Sequence, residues 1–212
     1  MIKVLNFHSR PESRVWFTSD WHLGHNRDFV WQARGYTSPT DHTETVIRTV
    51  NEQAKPEDII INLGDFCLNT SQDEFENYTR RINATIYYVW GNHNSRIKDA
   101  YFNAVFEQFG RSDIEVYPLK YKNLIFVGNY LEAGVNGSYL VMGHYPMDIF
   151  NKGGHGAFML CGHSHYGYEK TQENCLESKR LDVGWDGFKR MLSIEDIQKI
   201  MAKKKHVVLD HH

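Results

Sequence analysis

Three cysteines (Cys67, Cys161 and Cys175) in 212 residues cannot build a paired disulfide framework, so the fold must rest on a buried core. The chain also has no apolar run long enough to cross a bilayer. Residues 1–14 carry no apolar core of the secretory kind, and the compartment expected is the reducing cytoplasm, with no membrane partner. An excess of one charge is missing too: 24 Lys and Arg against 26 Asp and Glu leave −2. That balance gives no electrostatic footing for a phosphate backbone, so nucleic acid is not an expected partner. No internal repeat, low-complexity tract or Pro/Gly-rich linker divides the chain. Residues 1–212 are therefore expected to form a single domain, a length that suits one core. Hydrophobic content of 41% beside 24% charged residues excludes disorder.

Histidine, by contrast, is abundant. Twelve occur, and the neutral imidazole is the commonest metal ligand. His211 and His212 end the chain, and His8, His42 and His206 stand in no motif. The rest fall at informative places.

Near-continuous runs of β-branched and aromatic residues predict strands over 15–19, 59–63, 85–90, 124–127, 139–142, 157–160 and 180–183. Such runs suit strands covered on both faces, as in a layered α/β domain. Helices are expected over 40–54, starting at Thr40 and stopped by Pro56, over 71–82 with the capping box Ser71-Gln72-Asp73-Glu74, and over 193–201. The spans 26–40 and 94–143 read largely as loop, and specificity is expected to reside there. Lys203, Lys204 and Lys205 read as a solvated helix end.

The polar residues sit where these strands stop. Residues 15–19 run into Asp20-Trp21-His22, and 59–63 into Gly64-Asp65. Residues 85–90 run into Gly91-Asn92-His93, 139–142 into Gly143-His144, and 157–161 into Gly162-His163-Ser164-His165. In α/β sheets, sites form beyond the carboxyl ends of strands. Glycine allows the sharp turn and close approach a strand end needs there. In D-x-H and H-x-H spacings, residues two apart can project the same way. Two carboxylates, an amide oxygen and several imidazoles make a mixed N/O set that favours manganese, iron or zinc over calcium. Each motif alone is a common turn; five in order are not.

The ordered series D-x-H, G-D, G-N-H, G-H and G-H-x-H resembles the calcineurin-like metallophosphoesterase superfamily. Asp20 to Gly24 followed by His25, together with Val183-Gly184-Trp185-Asp186, further resembles its small prokaryotic and phage branch. The resemblance implies a layered β-sandwich flanked by helices, with the metal site at the carboxyl ends of its strands. It implies that Asp20, His22 and His165 hold one divalent cation, that Asn92, His144 and His163 hold a second, and that Asp65 bridges both. Manganese is the foremost expectation for the ions, with iron, zinc, nickel or magnesium as alternatives. It places His93 near the leaving group, making His93, Asp65 and Asn92 the catalytic set. Where the family usually has an acidic residue after G-N-H, this chain has Asn94. An amide could orient the histidine but would stabilise an imidazolium less, so weaker or shifted catalysis is expected.

The reaction expected is hydrolysis of a phosphomonoester or phosphodiester, of a nucleotide or small organic phosphate. A hydroxide shared by the two cations would attack phosphorus while His93 assists the departing alkoxide. His25, Arg27 and Arg34 are candidates to contact the phosphate, His25 equally as a donor behind the ligands. His155, between Gly154 and Gly156, is a candidate to line the cleft. Trp21, Trp31, Trp90, Tyr166 and Trp185 could stack on a nucleobase, although aromatics beside a sheet more often pack in the core. Cys67 and Cys161 read as small apolar core residues. The competing reading is a catalytically weak metal-binding scaffold of the same fold. Loss of a ligand or of the G-N-H histidine would mark it, and none is lost.

Overall fold

Side chains alternate across the three central strands so that both faces are covered. Strands β2 (Val15–Thr18), β3 (Ile59–Asn62) and β4 (Thr85–Tyr88) pair in parallel, with Thr18 opposite Asn62 and Asn62 opposite Tyr88. Trp16, Ile60, Ile86 and Tyr88 share one face and pack against Val46, Ile47, Phe75 and Tyr101. Phe17, Ile61 and Val89 share the other and meet Leu131, Ala133, Leu140, Met142 and Leu160. This double burial is why the strands read as unbroken apolar runs rather than alternating ones.

In the computed structural model, residues 4–93, 95–167 and 178–205 are described; Asn94, Cys175, His206, His211 and His212 lie outside them. Among the described residues the strands form two sheets. One has six strands in the order β11-β2-β3-β4-β6-β5, where β5 is Leu119–Tyr121, β6 Leu124–Phe126 and β11 Leu192–Ser193. The other has five in the order β1-β7-β8-β9-β10: Leu5–Phe7, Tyr130–Val135, Ser138–Gly143, Phe158–Cys161 and Arg180–Asp182. The sheets face each other across an apolar core, and helices α2 (Pro39–Gln53), α3 (Gln72–Arg81) and α4 (Ser95–Phe109) cover the far side of the larger one. The architecture is the helix-flanked sandwich expected. No helix among the described residues is long and apolar enough to cross a membrane.

Helix ends follow local chemistry. Ser71 and Glu74 form the expected capping box on α3. The final helix α6 (Ile194–Ala202; the short α1, Asp28–Trp31, and α5, Trp185–Phe188, precede it) is capped likewise by Ser193 and Asp196. Helix α2 starts ahead of the expected Thr40: Ser38 accepts from the Asp41 N–H, and Pro39 occupies the first turn, where its fixed φ fits and its missing N–H costs nothing.

The larger departure is α4, in a span that showed no periodicity. Ile97, Tyr101, Ala104 and Val105 are buried, but Phe102, Phe106 and Phe109 are exposed. Apolar residues on more than one face erase the stripe that marks an amphipathic helix.

Candidate metal centre

The strand register brings the polar motifs together. Because Thr18, Asn62 and Tyr88 end level with one another, the residues after them leave the sheet at the same edge. Backbone hydrogen bonds then knit the loops: Asp20 N–H to the Gly64 carbonyl, His22 N–H to Asp65, Gly162 N–H to His144 and Trp185 N–H to Ser19, each 3.0 Å. The last of these ties the end of the five-stranded sheet to that of the six-stranded one.

Local backbone strain aims the side chains. Asp20 (φ 57°), His22 (50°), Asp65 (54°), His163 (68°) and His165 (50°) all adopt the left-handed region, which costs non-glycine residues on the order of 1–3 kcal/mol each. Sandwich packing on both sides must sustain that cost. Two neighbouring glycines are dictated by crowding. A Cβ on Gly64 (φ +108°) would lie 2.5 Å from His144 Nδ1, and one on Gly162 would lie 2.5 Å from Asp20 Oδ2.

All seven residues expected as ligands meet in this region. Asp20, His22 and His165 each bring a ligand atom within 4.8 Å of the others, and so do Asp20, Asp65 and His144. Asp65 lies between the groups: its Oδ2 is 3.8 Å from His22 Nε2 and 3.5 Å from His144 Nε2. Asn92 Oδ1 is 2.7 Å from His144 Nε2 and 2.9 Å from His163 Nδ1. His93 is half-buried beside them, its N–H donating to Asp65 Oδ1 at 2.9 Å and its ring 5.7 Å from that of His22.

Two observations test whether these residues fit cations. Asp20 Oδ1 and both ring nitrogens of His22 are buried with no hydrogen-bond partner; each such group costs roughly 1–3 kcal/mol unless something compensates it. Burial, with Asp182 and Asp65 nearby, pushes the Asp20 carboxyl up to about 7, while burial and Arg34 hold His22 well below the usual histidine range. Second, His144 Nδ1 lies 2.8 Å from the Leu63 carbonyl, which can only accept. A neutral His144 therefore carries its proton there and turns the Nε2 lone pair toward Asn92 Oδ1 and Asp65 Oδ2. Lone pairs converging on lone pairs are what a cation needs, and the mixed N/O donors suit transition ions.

The remaining candidates fall into different places. His25 is buried, its Nδ1 accepting from the Arg27 N–H at 3.1 Å, and burial lowers its pKa. Arg27 is exposed at the rim. Arg34, expected as a phosphate partner, is instead enclosed: its side chain is 1% exposed and hydrogen-bonded throughout. His155 is exposed in a short 3-10 turn. Trp21, Trp90 and Trp185 are core residues. Exposed aromatic surface comes from two others: Phe29, 74% exposed and 5.4 Å from the His25 ring, and Tyr145, 53% exposed and 4.5 Å from His163. Burial pushes the Cys67 thiol up to about 12, so it is an inert core group.

Asp182 and Asp186 escaped the reading of motifs as ligands. Asp182 is fully buried and accepts from the Gly184 N–H (2.7 Å), the Tyr166 N–H (3.0 Å) and Ser164 Oγ. It thereby pins the turn that carries His163 and His165. The sequence signal for Asp186 was the Val183-Gly184-Trp185-Asp186 element; Asp182 stood only as a strand residue before it.

The calcineurin-like phosphoesterase family model matches residues 13–211, and the chain belongs to that family. Among solved structures, it is similar to that of a protein of unknown function from Aquifex aeolicus. The two share 16% identity at a TM-score of 0.61, over 89% of this chain and 99% of that one; at such identity the likeness concerns the fold. No curated protein matches the chain.

Proposed function

We propose that the chain is a dinuclear, divalent-metal-dependent phosphoesterase acting on phosphomonoesters or phosphodiesters of nucleotides or small organic phosphates. The observation that carries this is the convergence of seven N/O ligand residues, Asp20 and His22 among them with unpaired buried atoms, beside His93. Asp20, His22 and His165 would hold one ion, Asn92, His144 and His163 the other, with Asp65 shared. Two such cations, manganese foremost, supply Lewis acidity that lowers the pKa of water and neutralises phosphoryl charge.

The chain's own residues do the rest. Anchored through its backbone to Asp65, His93 can hold a proton for the leaving oxygen. With its Nδ1 occupied, His25 offers Nε2–H as a donor, and exposed Arg27 can meet a phosphate oxygen. Phe29 and Tyr145 present rings at the rim on which a nucleobase or aryl group could stack. We take residues 1–212 as one domain and, from a count of three cysteines that builds no paired disulfide framework, as a cytoplasmic one.

The test is hydrolysis of p-nitrophenyl phosphate and bis-p-nitrophenyl phosphate by the chelated protein with and without added Mn²⁺. Turnover of at least one, dependent on the metal, is expected. Absence of turnover on both would instead establish the scaffold reading.

A further inference from the structure

We propose that buried Arg34 and part-buried Asp186 form a positioning clamp for the first cation position, setting how tightly it holds its ion while leaving the second position nearly unaffected. The inference rests on the reading of Asp20, His22 and His165 as ligands given above.

All five N–H donors of Arg34 are matched. Nε and Nη2 donate to the two carboxylate oxygens of Asp186 at 3.0 and 2.6 Å. Nη2 also donates to the Asp20 carbonyl at 2.8 Å, and Nη1 to the Trp21 carbonyl at 3.1 Å and to His42 Nε2 at 2.9 Å. No donor is left for a phosphate. An ordinary structural role accounts poorly for the pair, because a buried ion pair is often replaceable by apolar residues without loss of stability. What it provides is geometry: apart from the bond to His42, the contacts lead to ligands of one position or to the Trp21 carbonyl between two of them.

Arg34 holds the carbonyls of Asp20 and Trp21, flanking the left-handed turn from which the Asp20 and His22 side chains project. Asp186 Oδ2 also accepts from His165 Nδ1 at 2.9 Å. That bond places the His165 proton on Nδ1 and leaves the Nε2 lone pair for an ion, with the ring stacked parallel to His22 at 5.0 Å. The guanidinium charge, which would repel a cation, is neutralised by the same carboxylate. His144 and His163 of the second position make none of their described hydrogen bonds to this pair; His144 leans on the Leu63 carbonyl instead.

The test is calorimetric titration of the full-length, chelated chain with Mn²⁺. Wild type should bind two ions. Asp186→Asn, which leaves a buried guanidinium uncompensated, should weaken one binding event by about 10–100-fold and leave the other within about threefold. Arg34→Lys should weaken the same event, since one ammonium cannot replace a five-donor fork. His165→Ala should abolish that event, and adding Asp186→Asn to it should change little further, the non-additivity expected of residues acting through one another. A merely structural role would lower the melting temperature of Asp186→Asn with both affinities intact, and that result overturns the clamp. Should Asp186→Asn not fold, Arg34→Lys with unchanged affinities overturns it equally. A wild-type chain that binds no Mn²⁺ overturns the proposed function and the clamp together; two ions bound equally by wild type and variants overturn the clamp alone.

Discussion

The two halves of the proposed metal centre are built by different means. Asp20 and His22 are buried, and His165 is fastened through Asp186 to Arg34, 152 residues away in the chain from that carboxylate. Asn92 and His163, by contrast, are exposed, and His144 is oriented by a backbone carbonyl. One set is fastened by a side-chain ion pair and the other by a backbone carbonyl; burial does not divide them, since the His165 side chain is 41% exposed and that of His144 is 1% exposed.

Four changes break or sharpen that comparison. The largest effect is expected from Asp65→Asn, because Asp65 lies within 4 Å of His22 and His144, one from each half. At least one ion should be missing by elemental analysis; a variant that keeps both would deny Asp65 its shared role. Next comes His93→Ala, beside both halves but assigned to neither. Both ions should stay while kcat falls on the order of 10²–10⁴. Unchanged turnover would remove His93 from the reaction.

The third concerns the support of the half held by Arg34. Burial and the Arg34 guanidinium lower His42 to about 3. Because the folded-state pKa is depressed, the neutral ring's contribution is full above the unfolded value near 6.5 and is lost as pH falls toward 3. Denaturant titrations should show His42→Gln flattening the fall in stability over that window by up to roughly 5 kcal/mol, at about 1.4 kcal/mol per pKa unit. A slope identical to wild type would place the titration elsewhere. The smallest effect belongs to the open rim: Tyr145→Ala and Phe29→Ala should raise KM for a nucleotide by about 5–100-fold and leave inorganic phosphate inhibition unchanged. Equal losses on both would point to a disturbed site rather than a lost stacking surface.

What could be read in the chain was what local chemistry writes plainly. The central strands were visible because both of their faces are buried, as Trp16 and Phe17 or Ile60 and Ile61 show by pointing opposite ways into apolar layers. The capping box of Ser71 and the helix start at Ser193 were visible because a helix start is written in about four residues. Helix α4 was not, since its exposed phenylalanines hide its period. Nor was the role of Arg34: a guanidinium in a polar loop looks solvent-facing until Asp186 and two backbone carbonyls close around it.

By itself, then, the order of residues determined which side chains could act as ligands and that each would follow a strand, because ligand chemistry and strand propensity are properties of short segments. Tertiary structure alone decided which donors would be left unpaired, which carboxylate would stand behind which imidazole, and which aromatics would remain exposed. Those outcomes depend on contacts between separate segments of the chain, 21 residues apart for His165 and Asp186 and 152 for Arg34 and Asp186, where burial and dielectric are set by packing.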